Sequence, residues 1–444
     1  MELIRGISGI RGIVGKSLTE PVIIKHIQAF SEIQSAGDIL LARDSRTHGE
    51  SFIHTAAETL SKCGRNVIVY GIIPTPTAQF LIEKNDMAGG IVITASHNPL
   101  EWNGLKFIDR DGCFLDGNKN IKLFEIADSD PTAKYNTGSV QSIENGYLPH
   151  ITHTRGLSVI DTKAIEKRNF SIVVDAVNGA ASEALPAMLK ALGCTVHLLH
   201  CNPDGQFPRE AEPLPQNLTI LANTVIANNA DVGFATDPDG DRLAIIDEKG
   251  NPLGEEYTLT LCIDGFLKST KSTEPIVTNL SSSLAIDRIA EKHGSSVIRT
   301  AVGEINVVNK MKDCNALLGG EGNGGVILSE SHYGRDSLVG ASLILNRMAQ
   351  DKNPISKIYQ SMPQYVMLKD KIKLTNINVT NAMEKIKLQF SNAQHNTMDG
   401  LKIIWENSWM HCRKSNTEPI MRIYAEAPTR LEVKMLIDKV KSIL

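Results

Sequence analysis

The sequence has no run of the roughly 20 apolar residues that a membrane-spanning helix needs, and it has no excess of positive charge. Its 46 Lys and Arg residues stand against 50 Asp and Glu residues, which gives a formal net charge of −4 and a pI near 6.3. Proteins that bind nucleic-acid backbones usually have a basic face and a basic pI. We therefore expect no membrane and no nucleic acid as a partner, and any phosphate ligand would need a local pocket.

Cysteine is also sparse and irregularly placed. No Cys-x-x-Cys pair occurs, and an odd number of cysteines cannot all form disulfides within one chain. The first residues lead into glycines and lack the apolar core of a secretion signal. We therefore expect a reduced, cytoplasmic protein. The seven cysteines are Cys63, Cys113, Cys194, Cys201, Cys262, Cys314 and Cys412.

A strand, helix, strand arrangement occurs three times along the 444 residues, a length that predicts two to four domains with clefts between them. In the first copy, Ile39–Ala42 is typical of a strand, residues 51–63 of a helix and residues 66–70 of a second strand. The pattern returns near Ile172 and near Pro275. Such alternation predicts parallel α/β sheets, which bind ligands at the carboxyl ends of their strands.

The pattern changes after about residue 366, where short strands and two helices indicate a smaller domain. The predicted fold class is three related α/β domains with mixed, largely parallel sheets, followed by a C-terminal α+β domain. We predict the domain limits to be 1–150, 151–254, 255–366 and 367–444.

Ser96 lies in the first of four segments that could carry chemistry. The apolar run Ile91–Ile93 indicates a buried strand, and small polar residues follow it up to Pro99. Ser96 is therefore expected in a loop at a strand end. Taken alone, the pair Ser96-His97 could be an ordinary polar turn. Acyl-transfer chemistry is disfavoured because the Gly-x-Ser-x-Gly pattern of a hydrolase nucleophile is absent.

The second segment places aspartates at alternate positions of a loop, Asp237, Asp239 and Asp241. Carboxylate oxygens are the ligands that Mg²⁺ prefers, so the spacing favours a metal site. A calcium loop of the EF-hand type is disfavoured because Arg242 occupies the position where that loop needs glycine. An acidic turn in solvent remains the alternative. We expect the loop to be exposed to a cleft, so that its substitution would cost little stability.

Glycines dominate the third segment, residues 319–325, around Glu321 and Asn323. Glycines allow a ligand to approach the backbone closely, and these two polar side chains can hydrogen-bond hydroxyl groups. A flexible linker is the alternative. The apolar residues on both sides predict instead a loop between two strands, which favours a binding role.

The fourth segment, residues 413–422, combines Arg413, Lys414 and Arg422 with short polar side chains. Such a group can surround a dianionic phosphate with charge-assisted hydrogen bonds, although a basic turn in solvent is the alternative. No Gly-x-x-x-x-Gly-Lys loop is present, so a nucleoside triphosphate is not the implied ligand.

Together, the four segments resemble the α-D-phosphohexomutase superfamily, which includes phosphoglucomutases, phosphomannomutases and phosphoglucosamine mutases. Residues 8–12 and 103–107 also resemble motifs of that family. The resemblance implies four domains around a central cleft and an isomerase that interconverts hexose 6-phosphates and hexose 1-phosphates. The segments follow the family order of phosphoserine, metal, sugar and phosphate loops, at residues 94–99, 237–242, 320–325 and 413–419.

The same resemblance implies a role for each matching residue. Ser96 would carry a phosphoryl group, and a hexose 1,6-bisphosphate would be the intermediate and activator. Mg²⁺ would be bound by Ser96, Asp237, Asp239 and Asp241. The residues expected around the reacting phosphate are Arg11, His97, Lys106 and Arg242, with His97 or Lys106 moving the hydroxyl proton. The sugar would be bound by Glu321, Asn323 and Glu304, and the other phosphate by Arg413, Ser415, Asn416, Thr417 and Arg422.

Two departures from the family pattern concern the sugar. Asn323-Gly324-Gly325 stands where many relatives have Ser-Gly-His, and Glu304 follows Val302-Gly303 where some relatives carry a histidine. The preferred prediction is conversion of glucosamine 6-phosphate to glucosamine 1-phosphate by a monomer or homodimer. The alternatives are a broad phosphoglucomutase/phosphomannomutase, a phosphatase and a non-catalytic sugar-phosphate binding protein.

Overall fold

Four β-sheets follow one another along the part of the chain that the structure describes. The computed structural model describes residues 3–129, 137–374, 378–414 and 420–443. Within these residues, each of the first three sheets combines parallel and antiparallel strands, whereas the last is antiparallel throughout. This architecture confirms the predicted fold class.

The first sheet has the strand order β1-β2-β6-β5-β3-β4-β7 in the described part of the chain. Its central strand β5 is buried along its whole length, as its apolar sequence predicts. The strands are β1 Ile4–Gly6, β2 Gly9–Ile13, β3 Ile39–Arg43, β4 Val67–Ile72, β5 Gly89–Ile93, β6 Trp102–Asp109 and β7 Val140–Ser142; the helices are α1 Glu20–Ile33, α2 Gly49–Lys62, α3 Thr75–Lys84 and α4 Gly117–Asp128.

The second sheet has the order β11-β10-β8-β9, with β8 parallel to both of its neighbours. Strand β11 returns antiparallel to β10, so the connection between these two is a tight turn at the carboxyl end of β10. The elements are α5 Leu148–Arg155, α6 Thr162–Arg168, β8 Ser171–Asp175, α7 Ala181–Ala191, β9 Thr195–Leu199, α8 Thr219–Ala227, β10 Val232–Thr236 and β11 Leu243–Asp247.

The third sheet repeats this arrangement with the order β13-β12-β14-β15, in which β14 and β15 form an antiparallel pair. The elements are α9 Glu255–Thr270, β12 Ile276–Asn279, α10 Leu284–Lys292, β13 Val297–Thr300, α11 Glu304–Cys314, β14 Leu318–Glu321, β15 Gly325–Leu328, α12 Ser337–Gln350 and α13 Ile355–Gln360.

The glycine-rich segment, residues 319–325, was expected to form a loop between two strands, but most of it belongs to the strands themselves. Strand β14 continues through Glu321 and β15 begins at Gly325, so only residues 322–324 form the loop. The strand glycines allow close packing: a Cβ on Gly319 would lie 2.6 Å from the Met311 sulfur, and one on Gly320 would lie 2.2 Å from the Gly325 carbonyl oxygen.

The last sheet has the order β16-β20-β19-β18-β17 and is covered by two helices. Helix α15 begins with a capping box, in which Thr429 and Glu432 exchange side-chain and backbone hydrogen bonds. The elements are β16 Val366–Lys373, α14 Val379–Gln389, β17 Gln394–Asn396, β18 Leu401–Ile404, β19 Trp409–Lys414, β20 Ile420–Ala427 and α15 Arg430–Lys441.

Helices α9 and α12 join the second and third sheets through one hydrophobic core. Every residue from Glu256 to Leu267 and from Ser337 to Met348 is buried. Their core cluster extends from Ile151 to Met362, so the metal and sugar segments are held on one packed unit. Among the described residues, no helix is both long and apolar enough to cross a membrane.

Candidate active site

Ser96 is the third residue after the buried strand β5, which ends at Ile93, as expected from the sequence. Its backbone φ is 49°, a left-handed conformation that costs a residue with a side chain about 1–2 kcal/mol. The Ser96 backbone N–H donates to Thr94 Oγ1 at 2.9 Å, and the Thr94 hydroxyl donates to Asp44 Oδ2 at 2.6 Å. These bonds hold the strained turn and keep the serine Oγ pointing away from the sheet toward the metal segment.

Arg46 fixes the rest of this loop, and sequence reasoning missed it. Its guanidinium is fully buried, pairs with Asp44, and donates to the carbonyl oxygens of Ser96 at 2.6 Å and Asn98 at 2.8 Å. The positions of Asp44 and Arg46 just after β3 could have indicated this role. Strand β3 is parallel to its neighbour β5, so the carboxyl ends of the two strands lie together.

The three aspartates of the metal segment lie in the turn between β10 and β11, directly opposite Ser96. The Ser96 hydroxyl donates to Asp237 Oδ2 at 3.0 Å. Gly240 adopts a φ of 71° in the turn, and its N–H donates to the Asp237 carbonyl oxygen at 3.1 Å. The structure therefore brings together two predicted segments that are separated by about 140 residues.

The expectation that this acidic loop is exposed was wrong. The exposed fractions of Asp237, Asp239 and Asp241 are 0%, 0% and 1%. They are covered by cationic and hydroxyl side chains from other segments: Lys106 Nζ lies 2.5 Å from Asp239 and 3.2 Å from Asp241, and Thr75 donates to Asp239 at 2.7 Å. The sequence pattern alone does not show this cover because its residues come from distant parts of the chain.

Burial and neighbouring charges shift the pKa values of Asp237 and Asp239 in opposite directions. Burial, together with Asp241 and Asp239, raises the pKa of Asp237 well above its usual value. At Asp239 the opposing effect of burial is outweighed by Lys106, so its pKa is lowered. Burial likewise opposes the charged form of Lys106, but Asp239 and Asp241 raise its pKa, so this lysine is a stable cation.

The carboxylate group fits a divalent cation. One ligand oxygen from each of Asp237, Asp239 and Asp241 lies within 4.8 Å of the others. Asp239 Oδ1 and Asp241 Oδ1 are buried and have no hydrogen-bond partner among the described residues, which is costly for charged oxygens unless a cation binds them. Hard oxygen donors of this kind suit Mg²⁺.

A cavity of about 410 Å³ opens beside this cluster and contacts all four predicted domains. His97 and Arg242 line the end near Ser96, Glu321 and Asn323 line the wall, and Arg413 with other residues of the last sheet lines the far end. Its volume lies in the range that small-molecule sites occupy, and its lining is rich in charged side chains.

Glu321 is held firmly in the cavity wall. Its Oε1 accepts hydrogen bonds from Asn279 Nδ2 at 2.8 Å and from the Gly303 N–H at 3.1 Å, and its Oε2 accepts from Arg335 at 3.1 Å. A carboxylate can accept about four hydrogen bonds, so acceptor capacity remains for a ligand hydroxyl.

The far end of the cavity carries two opposed arginines. Arg413 and Arg422 are directly paired across the antiparallel strands β19 and β20. Like charges in this position are destabilising, and an anion between them would remove that cost. Arg413 also lies 3.2 Å from Asp399. Ser415, Asn416 and Thr417 lie outside the described residues.

The remaining candidates lie around Ser96 with different partners. His97 Nδ1 lies 3.3 Å from Ser96 Oγ, and the charge of Arg242, with burial, lowers the pKa of His97 well below its usual value. Arg242 pairs with Glu212 at 2.8 Å. Arg11 donates to Asn98 Oδ1 at 3.2 Å, at the edge of the Ser96 loop.

Glu304, which the family resemblance implies as a sugar-binding residue, is not among the described residues that line the cavity. It is the first residue of α11, is buried, and is directed to Arg335, with Arg335 Nε 3.0 Å from its Oε2. Arg335 was missed by the sequence reasoning, although it lies among Asp241, Glu304 and Glu321.

Comparison with known proteins identifies this arrangement. Models of the phosphoglucomutase/phosphomannomutase family match the chain in order: residues 2–134 match alpha/beta/alpha domain I, 145–250 domain II, 254–365 domain III and 374–442 the C-terminal domain. The chain belongs to the phosphoglucomutase/phosphomannomutase family.

Relatives of this family cover the chain almost completely. A phosphoglucomutase/phosphomannomutase from Thermococcus kodakarensis is 33% identical over 442 residues, 98% of this chain and 96% of that protein. A probable phosphoglucosamine mutase from Methanopyrus kandleri is 30% identical over 441 residues, with the same coverage. A solved phosphoglucomutase/phosphomannomutase family protein from Burkholderia thailandensis has a TM-score of 0.85 and 26% identity, covering 99% of this chain and 98% of that one.

The family membership makes this protein a phosphohexomutase, an isomerase of a metal-dependent family, and confirms the resemblance drawn from the four segments. The names of its relatives differ in the sugar that they specify, so family membership does not select one hexose.

Proposed function

We propose that the phosphohexomutase interconverts hexose 6-phosphate and hexose 1-phosphate through a phosphoserine at Ser96 and a hexose 1,6-bisphosphate. The observation that supports this most strongly is the 3.0 Å contact between Ser96 Oγ and Asp237 Oδ2. The hydroxyl lies at the edge of a carboxylate cluster suited to Mg²⁺, and the next residue, His97, lines the cavity that Arg413 and Arg422 also line.

In the proposed reaction, the free hydroxyl of a hexose monophosphate takes the phosphoryl group from Ser96. The bisphosphate then reverses its orientation and returns its other phosphoryl group to Ser96. Asp237, Asp239, Asp241 and Ser96 would hold Mg²⁺. When bound, this ion neutralises charge on the transferring phosphoryl group, which is the main catalytic need in phosphoryl transfer.

In this proposal, different residues of the cavity hold the phosphate that does not react and the phosphate that is transferred. Arg413 and Arg422, with Ser415, Asn416 and Thr417 as predicted partners, would hold the phosphate that is not reacting. Arg11 and Arg242 lie on the side of Ser96 and would contact the reacting phosphate. Glu321 would accept hydrogen bonds from sugar hydroxyls and fix the ring between the two ends.

His97 and Lys106 are the two candidates for moving the hydroxyl proton. His97 Nδ1 lies 3.3 Å from Ser96 Oγ, whereas Lys106 Nζ pairs with Asp239 and Asp241. Both are candidates, since the position of the bound sugar hydroxyl decides between them.

The preferred substrate is glucosamine 6-phosphate, which gives glucosamine 1-phosphate, with Asn323 as the first candidate to contact the amino group, because Glu304 is directed to Arg335. Relatives that are named phosphoglucosamine mutases support this choice. Glu212 and Glu255 of the cavity wall pair with Arg242 and Lys369, so they add no support. The alternative is a phosphoglucomutase/phosphomannomutase of broad specificity. A cytoplasmic monomer or homodimer stays a prediction.

Product analysis tests this proposal and separates it from its rivals. The kcat/KM values for the 1-phosphates of glucosamine, glucose and mannose would be compared, each with its bisphosphate. We expect glucosamine 1-phosphate to be the best substrate, by a factor that reflects about 1–3 kcal/mol for one substituent. A higher value for glucose or mannose 1-phosphate would contradict the substrate, release of inorganic phosphate would indicate a phosphatase, and binding without turnover would indicate a sugar-phosphate binding protein.

A further inference from the structure

Arg335 lies in the segment between β15 and α12 and contacts three carboxylates. Its guanidinium is buried, and each of its nitrogens faces a different acid: Nη2 lies 2.7 Å from Asp241, Nε lies 3.0 Å from Glu304, and Nη1 lies 3.1 Å from Glu321. These acids come from the metal turn, the start of α11 and the sugar strand. The rigid guanidinium therefore links the segment proposed to bind the metal to the segment proposed to bind the sugar.

The surrounding chain is shaped to hold Arg335 in this position. A Cβ on Gly325 would lie 2.2 Å from Arg335 Cδ, so a glycine is needed for the side chain to pass the sugar strand. The next residue, Asp336, caps α12 by accepting hydrogen bonds from the N–H groups of Leu338 and Val339. The Arg335 backbone N–H points to Glu304 at 3.3 Å. The backbone at Arg335 and the start of its side chain are thus held in place.

The contacts with Asp241 and Glu321 use the two terminal nitrogens, Nη2 and Nη1, of the planar guanidinium. Arg335 and Lys106 both contact Asp241 Oδ2, while Asp241 Oδ1 has no hydrogen-bond partner among the described residues and is available to the proposed cation. Glu321 lines the cavity for the sugar. Because the guanidinium is planar and its donors are fixed relative to each other, a shift of Glu321 is transmitted to the orientation of Asp241.

We propose that Arg335 is a positioning residue that couples sugar binding at Glu321 to metal binding at Asp241. This inference rests on the proposed function, since it assigns the sugar and the metal to these two acids. Coupling of this kind is reciprocal, so the metal ion and the sugar phosphate each raise the affinity of the protein for the other by the same factor.

The test measures both ligands on the full-length protein. Binding of Mn²⁺, followed by electron paramagnetic resonance, is titrated with and without saturating glucose 6-phosphate. In the unsubstituted protein, we expect glucose 6-phosphate to increase Mn²⁺ affinity at least about fivefold. In Arg335→Met the factor should fall to near one, and Arg335→Lys, whose single ammonium cannot bridge both ends, should restore only part of it.

Two further variants separate coupling from stability. Arg347→Met removes another buried arginine that pairs with Asp264 and Asp351 away from the cavity. It should lower stability and leave the coupling factor unchanged. Glu321→Gln keeps Arg335 and should lose the coupling while retaining Mn²⁺ affinity in the absence of sugar, which tests the proposal even if Arg335→Met does not fold.

The outcomes are distinct. An equal coupling factor in the unsubstituted protein and in both Arg335→Met and Glu321→Gln would overturn the proposal, and so would loss of coupling in Arg347→Met. If the unsubstituted protein bound neither Mn²⁺ nor any of the 6-phosphates of glucosamine, glucose and mannose, the proposed function would fail as well. If it bound both without mutual effect, only the coupling would fail.

Discussion

Asp239 serves the site with both of its carboxylate oxygens. Oδ2 accepts the hydroxyl of Thr75 and pairs with the Lys106 ammonium, whereas Oδ1 is buried without a partner among the described side chains. The charged partners fix the orientation of the group, and the unpaired oxygen is available to a cation. Asp239 is therefore expected to contribute both to the stability of the loop and to the proposed binding of the metal.

Asp239→Asn is therefore expected to reduce turnover by orders of magnitude and also to lower the free energy of unfolding. Lys106 would lose its closest charged partner in a buried site, which costs about 1–3 kcal/mol. Steady-state kinetics and urea unfolding measure the two effects. Asp204→Asn, in an exposed loop, is the matched control and should change neither by much. Unchanged turnover in Asp239→Asn would contradict the role of the metal.

Removal of the metal tests whether the reaction needs a cation at Asp239 Oδ1 and Asp241 Oδ1, the two oxygens without hydrogen-bond partners among the described residues. With excess chelator, mutase activity should be lost, because no Mg²⁺ would be bound at the three aspartates to neutralise the charge of the transferring phosphoryl group. Readdition of Mg²⁺ should restore the rate in the same sample. Full activity in chelator would exclude a metal from the reaction.

At the scale of secondary structure elements, the opposed arginines of β19 and β20 show how a strand pair can form an anion site. Arg413 and Arg422 lie in register, at a cost that a bound phosphate would offset. The sequence indicated the basic cluster but not the register, because pairing of two strands depends on the whole sheet.

Arg413→Ala should weaken binding of the sugar phosphate by about 1.5–3 kcal/mol, the usual value for a hydrogen bond to a charged group. The stability of the last sheet should change less, since one of two like charges is removed. Calorimetric titration measures the affinity. Arg430→Ala, exposed at the start of α15, is the control. Equal affinities in Arg413→Ala and the unsubstituted protein would mean that this strand end does not contact phosphate.

Helix α12 begins at a second polar cluster, in which Asp336 caps the helix and lies 3.0 Å from His150 and 3.1 Å from His332. Burial opposes ionisation, but the histidines outweigh it and lower the pKa of Asp336. A carboxyl whose pKa is lower in the folded state stabilises the protein above its unfolded pKa of about 3.9. That stabilisation is lost as the pH falls toward the folded value.

Asp336→Asn should therefore lower the free energy of unfolding at pH 7 by about 1–3 kcal/mol and reduce its decline below about pH 4. Unfolding at a series of pH values measures this. Asp116→Asn, at the exposed cap of α4, is the control, because asparagine caps a helix as well as aspartate does. Identical pH profiles for Asp336→Asn and the unsubstituted protein would show that the histidines do not stabilise the charge.

At the scale of the whole molecule, strand ends from separate sheets meet around one cavity. The α/β pattern, the loop positions of Ser96 and Asp237 and the smaller α+β domain at the end of the chain could be predicted, because each depends on local periodicity and turn residues. The burial of the aspartates and the roles of Arg46 and Arg335 could not. Each depends on at least one partner 50 or more residues away, which is Thr75 for Asp239, Ser96 for Arg46 and Asp241 for Arg335.

The central claim is that Ser96 carries the phosphoryl group between the two positions of the hexose. Its most direct test is mass spectrometry of the Ser96 peptide after incubation with glucose 1,6-bisphosphate, then with hexose monophosphate. The account predicts a phosphoryl group on Ser96 that passes to the monophosphate, and no such peptide or turnover in Ser96→Ala. Full mutase activity in Ser96→Ala, or a phosphoryl group on another residue alone, would contradict it.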